Sequence, residues 1–188
     1  MIRLIRPYIT FDEVEADLRQ VFADGIFTRG RHVEAFRSEL AAYTEARHVH
    51  LATSATTALS VCLKLLGVGR DDEVLVSDFS FPATANVVED LGARPVFCDV
   101  ALETYNVLPH ELGLRAGART RAVIAVDAFG NPTGMHEVVA ACRALGLPVI
   151  EDAACAIGSR ERGTKVGRIA DLTCFSFHPR KLLTTGEG

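Results

Sequence analysis

The sequence predicts an α/β fold of three layers, a mostly parallel sheet with helices on both faces, and three observations predict it. Short β-rich runs alternate with segments of helical period along most of the chain. Glycine or proline stands at many of the junctions between them. The 188 residues are 48% hydrophobic with a mean hydropathy of +0.19, enough apolar surface to bury one sizeable core.

Taken in order, the chain begins with an amphipathic helix from about residue 11. A loop follows from Asp24-Gly25 through Gly30, then a second helix to roughly Tyr43. Strands are expected at residues 48–51, 73–77, 95–98, 122–126, 148–150 and 172–177. Helices are expected at residues 54–66, 82–91 and 135–145. Pro82 suits a first helical turn, and Gly67, Gly92 and Gly146 suit helix ends. No internal repeat, low-complexity tract or linker interrupts the alternation. The last expected strand runs into a glycine-rich loop, Thr184-Thr185-Gly186-Glu187-Gly188, with nothing beyond it to cover that edge. The expectation is therefore a truncated chain or one piece of a longer one.

Charge and cysteine usage narrow the partners. A formal charge of −4, a pI near 5.9 and singly scattered basic residues give no field to attract a phosphate backbone, so no nucleic-acid partner is expected. The five cysteines, Cys62, Cys98, Cys142, Cys155 and Cys174, lie far apart without a CxxC pair, which reads as buried free thiols in a reducing compartment. The first 18 residues lack the long apolar core of a signal peptide, and no apolar stretch approaches transmembrane length. A cytoplasmic protein without a membrane partner and without a metal site is expected.

In an open α/β sheet, ligands bind outside the carboxyl ends of the strands, so the residues following each β-run carry the chemistry. After the first run, Thr53-Ser54-Ala55-Thr56-Thr57 opens a helix whose free N–H groups and positive dipole end suit a phosphate; taken alone, an ordinary N-cap explains it better. After the second, Asp78-Phe79-Ser80-Phe81 presents aromatic side chains able to stack on a flat heterocycle, although spacing alone favours Phe81 as core. The fifth ends in Glu151-Asp152, a carboxylate at the mouth of a buried run, which must be paired, exposed or employed. Metal ligation, helix capping and partnership with a pyridinium are equal choices for it. The last, Cys174-Phe175-Ser176-Phe177, leads into His178-Pro179-Arg180-Lys181, and Lys181 in isolation reads as a surface lysine. The combination changes this reading. A phosphate cradle, a ring-stacking group, a carboxylate for a pyridine nitrogen and a lysine for an aldehyde are what a pyridoxal 5'-phosphate (PLP) site requires. No GxGxxG or GxxxxGK[ST] loop competes for the sheet.

These residues resemble the DegT/DnrJ/StrS sugar aminotransferases of PLP fold type I. The resemblance runs through Thr53-Ser54-Ala55-Thr56, Asp72-Glu73-Val74, Phe81-Pro82-Ala83-Thr84-Ala85-Asn86, Gly92-Ala93-Arg94-Pro95-Val96-Phe97, Glu151-Asp152-Ala153-Ala154 and Phe175-Ser176-Phe177-His178-Pro179-Arg180-Lys181. It implies that residues 1–188 are an incomplete PLP-binding large domain whose C-terminal small domain is absent. It also implies that Lys181 forms the Schiff base with PLP and then acts as general base and acid, and that Asp152 keeps the pyridine nitrogen protonated. Phe81 would stack on the ring, and Ala55 and Thr56, with Ser176, would hold the phosphate. Cys155 stands where members usually place Gln or His near the ring hydroxyl. The implied reaction passes an amino group from an amino acid, usually glutamate, to a keto-sugar nucleotide, in a protein that is a homodimer when complete.

Other readings make different demands on the sequence. Relatives that dehydrate sugars carry His in place of the lysine, which Lys181 disfavours. Relatives acting on cyclitol ketones or aminobenzoate-type precursors share all of these motifs. A catalytically incomplete remnant or assembly module of the same fold fits the abrupt end. A dinucleotide-binding reductase requires a glycine fingerprint that residues 50–57 lack.

Overall fold

The structure, a computed structural model, describes residues 9–188; Met1 to Tyr8, on which part of the signal-peptide reading rests, lie outside the described residues. Helix α1 (Phe11–Asp24) starts at a capping box in which Thr10 and Glu13 satisfy each other, and ends at Gly25 in the left-handed conformation. Helix α2 (Arg31–Thr44) follows, and then α3 (Ala55–Leu65), capped by the Ser54 hydroxyl. From there strand and helix alternate: β1 (Glu73–Ser77), α4 (Ala83–Glu89), β2 (Arg94–Cys98), α5 (Pro109–Arg115), β3 (Thr120–Val126), a single 3₁₀ turn (Ala128–Gly130), α6 (Met135–Leu145) and β4 (Val149–Asp152). A two-residue hairpin, β5 (Arg160–Glu161) and β6 (Thr164–Lys165), precedes β7 (Leu172–Cys174).

Five strands form one sheet in the order β2-β1-β3-β4-β7, every neighbouring pair parallel. Alternation along the strands separates two cores, because successive side chains point to opposite faces. Val74, Val76, Ile124 and Ile150 meet Leu59 and Leu63 of α3 and Val87 and Val88 of α4 on one face. Leu75, Val123 and Val149 meet Leu112 of α5 and Met135, Val138 and Cys142 of α6 on the other. The three-layer expectation is met, with strands buried on both faces as parallel sheets require.

Three local expectations fail. Residues 48–51 form no strand: their β-like composition finds no hydrogen-bonding neighbour among the described residues, and Val49 instead packs beside Phe36, Leu40, Ile157 and Phe177. The last strand stops at Cys174 rather than residue 177, because β4 turns away after Asp152 and the Cys174 carbonyl accepts from Ala153 N–H at 2.9 Å. Helix α5 and the β5–β6 hairpin went unpredicted, being too short for a period to show. The hairpin has a structural role: the Glu161 carboxylate accepts from the Gly134 N–H at 2.6 Å and the His136 N–H at 2.9 Å, closing the amino end of α6. No helix among the described residues is long and apolar enough to cross a membrane.

Candidate active site

Because the strands are parallel, Ser77, Cys98, Val126, Asp152 and Cys174 end along one edge of the sheet. Helix α3 begins at that edge too, since its carboxyl end leads into the start of β1.

Asp152 closes β4 and is 6% exposed. Its Oδ2 accepts from the Thr84 hydroxyl at 3.0 Å and its Oδ1 from the Ala154 N–H at 3.3 Å. Burial pushes the carboxyl above the ordinary range, while those two donors and the positive charge of Lys181 pull it back. Thr84 is in turn held by Ser80, the two hydroxyl oxygens lying 2.5 Å apart. This site is a carboxylate oriented by neutral donors and short of a full counter-charge, which fits a protonated heterocyclic nitrogen.

Lys181 follows β7 on the loop of residues 175–188. Its N–H donates to the His178 carbonyl at 2.8 Å, and its Nζ donates to the Cys155 Sγ at 3.2 Å. The loop folds back: Phe177 N–H donates to the Gly188 carbonyl at 2.6 Å and Thr185 N–H to the Phe177 carbonyl at 3.1 Å. Ser176 is buried beneath, and its hydroxyl donates to the same Gly188 carbonyl at 3.4 Å. A Cβ placed on Gly188 would come within 3.7 Å of the Ala52 carbonyl oxygen, so the loop lies against the segment entering α3.

At that entry the two readings of residues 53–57 prove compatible. The Ser54 hydroxyl caps the Thr57 N–H at 3.1 Å, while Ala55 and Thr56 occupy the first turn, where helix geometry supplies their N–H groups with no carbonyl. Phe81, for which spacing alone favoured core, is 74% exposed just before α4. An aromatic ring left in solvent three residues from the Thr84 that orients Asp152 is available to a ligand.

The structure thus brings Asp152, Lys181 and Cys155 together, sets Ser176 and the α3 entry beside the loop that carries Lys181, and leaves Phe81 open at the same edge. The groups fit PLP: a buried carboxylate for the ring nitrogen, an amine for the aldehyde and open N–H groups for the phosphate. A depression lined by Val139, Arg143, Leu147 and Asp171 lies at the amino edge of the sheet and gathers no comparable set.

Sequence reasoning missed three residues here. Thr84 sits one helical turn after Phe81, and that spacing was its only signal. Asp127 follows β3 as Asp152 ends β4, so the same strand-end rule finds it. It is 2% exposed, neither of its carboxyl oxygens has a hydrogen-bond partner among the described residues, and its N–H donates to the Asp152 carbonyl at 3.1 Å. Burial, then the charges of Glu151, Asp152 and Glu161, push its carboxyl up to about 8. Asn106 pins the loop after Asp127, accepting from the Ala128 N–H at 3.0 Å and donating to the carbonyls of Asn131 and Thr133 at 2.7 and 2.9 Å.

The family model of the DegT/DnrJ/EryC1/StrS aminotransferases matches residues 9–188. The chain is 37% identical over 182 residues to the spore coat polysaccharide biosynthesis protein SpsC of Bacillus subtilis (strain 168), covering 97% of this chain and 46% of that protein. It is 35% identical over 190 residues to dTDP-4-dehydro-2,3,6-trideoxy-D-glucose 4-aminotransferase of Saccharopolyspora spinosa, covering 100% and 49%. Among solved structures, Spr1654 of Streptococcus pneumoniae in its PLP form superposes with a TM-score of 0.92 at 29% identity, over 100% of this chain and 51% of that one. The chain spans about half the length of the curated relatives it matches. With a match over nearly its whole length, the chain belongs to the DegT/DnrJ/EryC1/StrS aminotransferase family, a PLP-dependent family.

Proposed function

We propose that this chain is the cofactor-binding large domain of a PLP-dependent aminotransferase that passes an amino group from an amino acid, glutamate by resemblance, to a keto-sugar nucleotide. The observation that carries the reading is the joining, at one strand-end edge, of a buried, donor-held Asp152 with the Lys181 amine, whose charge reaches it. The relative named for a dTDP-linked keto-sugar supports a nucleotide-linked acceptor. By the same family resemblance the complete protein is a cytoplasmic homodimer whose remaining length adds a small domain and the rest of the substrate pocket.

When bound, PLP supplies an electron sink beside the carbon whose proton is moved. Asp152 would hold the proton on the ring nitrogen, with Thr84 fixing the carboxylate in its orientation. With the cofactor in place, the Lys181 amine would hold its aldehyde carbon and would serve as general base and acid at the carbon whose proton is moved. The exposed Phe81 side chain would pack on a face of the ring and exclude water from it. The N–H groups of Ala55 and Thr56 and the Ser176 hydroxyl would hold its phosphate, and by resemblance the Cys155 thiol would neighbour its ring hydroxyl.

The test is borohydride reduction of the full-length protein with PLP, followed by peptide mapping. A stable adduct on the peptide holding Lys181, lost in Lys181→Ala while the far-ultraviolet spectrum is retained, is expected. An adduct of unchanged yield in that variant overturns the assignment.

A further inference from the structure

We infer that Asp127 and Glu151 share one proton across the ends of β3 and β4, and that this buried pair positions and tunes Asp152 from the opposite face of the sheet. The shared proton stands on the chain's own geometry; its effect on Asp152 rests on the reading of that carboxylate proposed above.

Strand alternation puts the two carboxyls on one face. Val149 packs with Leu112 of α5 and Val138 of α6, so Glu151, two residues on, turns the same way. Ile150 and Asp152 turn toward α3 and α4, where Thr84 lies. On β3, Ala125 belongs to the α5–α6 face and is paired in register with Glu151, and Asp127 is the next residue of that face.

Their hydrogen bonding complements each other. Glu151 Oε2 accepts from the Thr173 hydroxyl at 2.8 Å, but Oε1 has no donor among the described residues, and neither oxygen of Asp127 has one. Glu151 is 0% exposed and Asp127 2%, so a group from elsewhere in a longer chain has no opening to them. Two ionised carboxylates there would repel each other without a counter-charge. Asp152 of β4 and Glu161 of β5 add negative charge, and the His136 ring of α6 is engaged with Glu161 at 2.6 Å. One proton supplies the missing donor: an Asp127 O–H donates to Glu151 Oε1, and the pair carries a single negative charge. Burial and the neighbouring carboxylates push the Asp127 carboxyl up to about 8, in keeping with Asp127 as the protonated partner.

The pair reaches Asp152 by two routes. Glu151 precedes it in the chain, and the Asp127 N–H donates to the Asp152 carbonyl at 3.1 Å. The same tie holds the turn after β3, where Phe129 adopts a left-handed φ of +55° that the surrounding structure must enforce. Loss of the shared proton leaves two negative charges behind Asp152, pushes the strand ends apart, and raises the proton affinity of Asp152 and of the nitrogen it would hold.

The experiment records infrared spectra of the full-length protein without cofactor across a pH series, as differences between the unsubstituted protein and each of Asp127→Asn and Glu151→Gln, so that Asp152 cancels. The expected result is a protonated-carboxyl band at neutral pH that shifts in deuterium oxide, disappears on the alkaline side and is lost in both variants. In either variant the new amide supplies the donor and the remaining carboxyl ionises. A band that persists in one variant shows two carboxyls neutral independently of each other and overturns the sharing, as does the absence of any such band in the unsubstituted protein. If one variant fails to fold, the other decides. With PLP added, the absorbance of the bound cofactor should show an inflection at the pH where the band disappears, and Asp127→Asn should lose it. An inflection unchanged in that variant overturns the effect on Asp152. Failure of PLP to bind the unsubstituted protein removes the cofactor reading, while the infrared spectra still decide the shared proton.

Discussion

Burial raises the proton affinity of Asp152, and the Thr84 hydroxyl, the Ala154 N–H and the Lys181 charge oppose it. Thr84→Val keeps the shape and removes the donor, leaving Oδ2 buried without that bond. We expect a loss of about 1–3 kcal/mol in stability and a further rise in the carboxyl's proton affinity. Denaturant midpoints and the pH dependence of the bound cofactor's absorbance measure both, and a variant unchanged in each would show that Thr84 does not orient Asp152. Asp152→Asn removes the charge proposed to hold the ring proton. Cofactor should remain bound while transamination slows by at least about 10²-fold, and near-normal turnover would mean that another group holds the nitrogen. Phe81 teaches a related point, because its apolar character fits core and ligand face equally, and only its 74% exposure separates them.

At the scale of elements, the turn after β4 and the 3₁₀ turn after β3 are locked against each other. Gly130 has φ +83°, a left-handed conformation, and faces the Cys155 carbonyl, while its own carbonyl accepts from the Ser159 hydroxyl at 2.7 Å. A side chain there meets fixed backbone as well as an unfavourable φ. Gly130→Ala should therefore destabilise by about 2 kcal/mol or more and displace Cys155 from Lys181. A melting temperature matching the unsubstituted protein would mean the two turns separate easily. The β5–β6 hairpin shows why such pieces escape sequence reading. Its strands have two residues each, yet Glu161 closes α6 across 25 positions of chain, a pairing no local period records.

For the whole molecule, the buried carboxyls set a pH dependence of stability. Asp127 lies beside Glu151, which is fully buried with one oxygen unpartnered among the described residues and is likewise raised by desolvation. The Asp127 carboxyl is raised to about 8 from an ordinary 3.8, so between those values the folded chain holds more protons than the unfolded one. Stability contributed by this group is present at low pH and is lost as pH rises through that window. Asp127→Asn should flatten this slope and gain roughly 1–3 kcal/mol at its alkaline end. Urea midpoints that fall with pH as steeply as in the unsubstituted protein would place the dependence elsewhere.

The alternation of strand and helix, the strand-end position of Asp152, the place of Lys181 after the last strand, and the hydroxyl-rich entry to α3 follow from sequence alone, because period, punctuation and residue type are local properties. The pairing of Asp152 with Thr84, the contact of Lys181 with Cys155 and the approach of Asp127 to Glu151 join residues 68, 26 and 24 positions apart, and only the packed sheet brings them together. Residues 48–51 mark the same boundary from the other side. Their composition is that of a strand, but a strand exists only where another backbone supplies the ladder, and among the described residues none does.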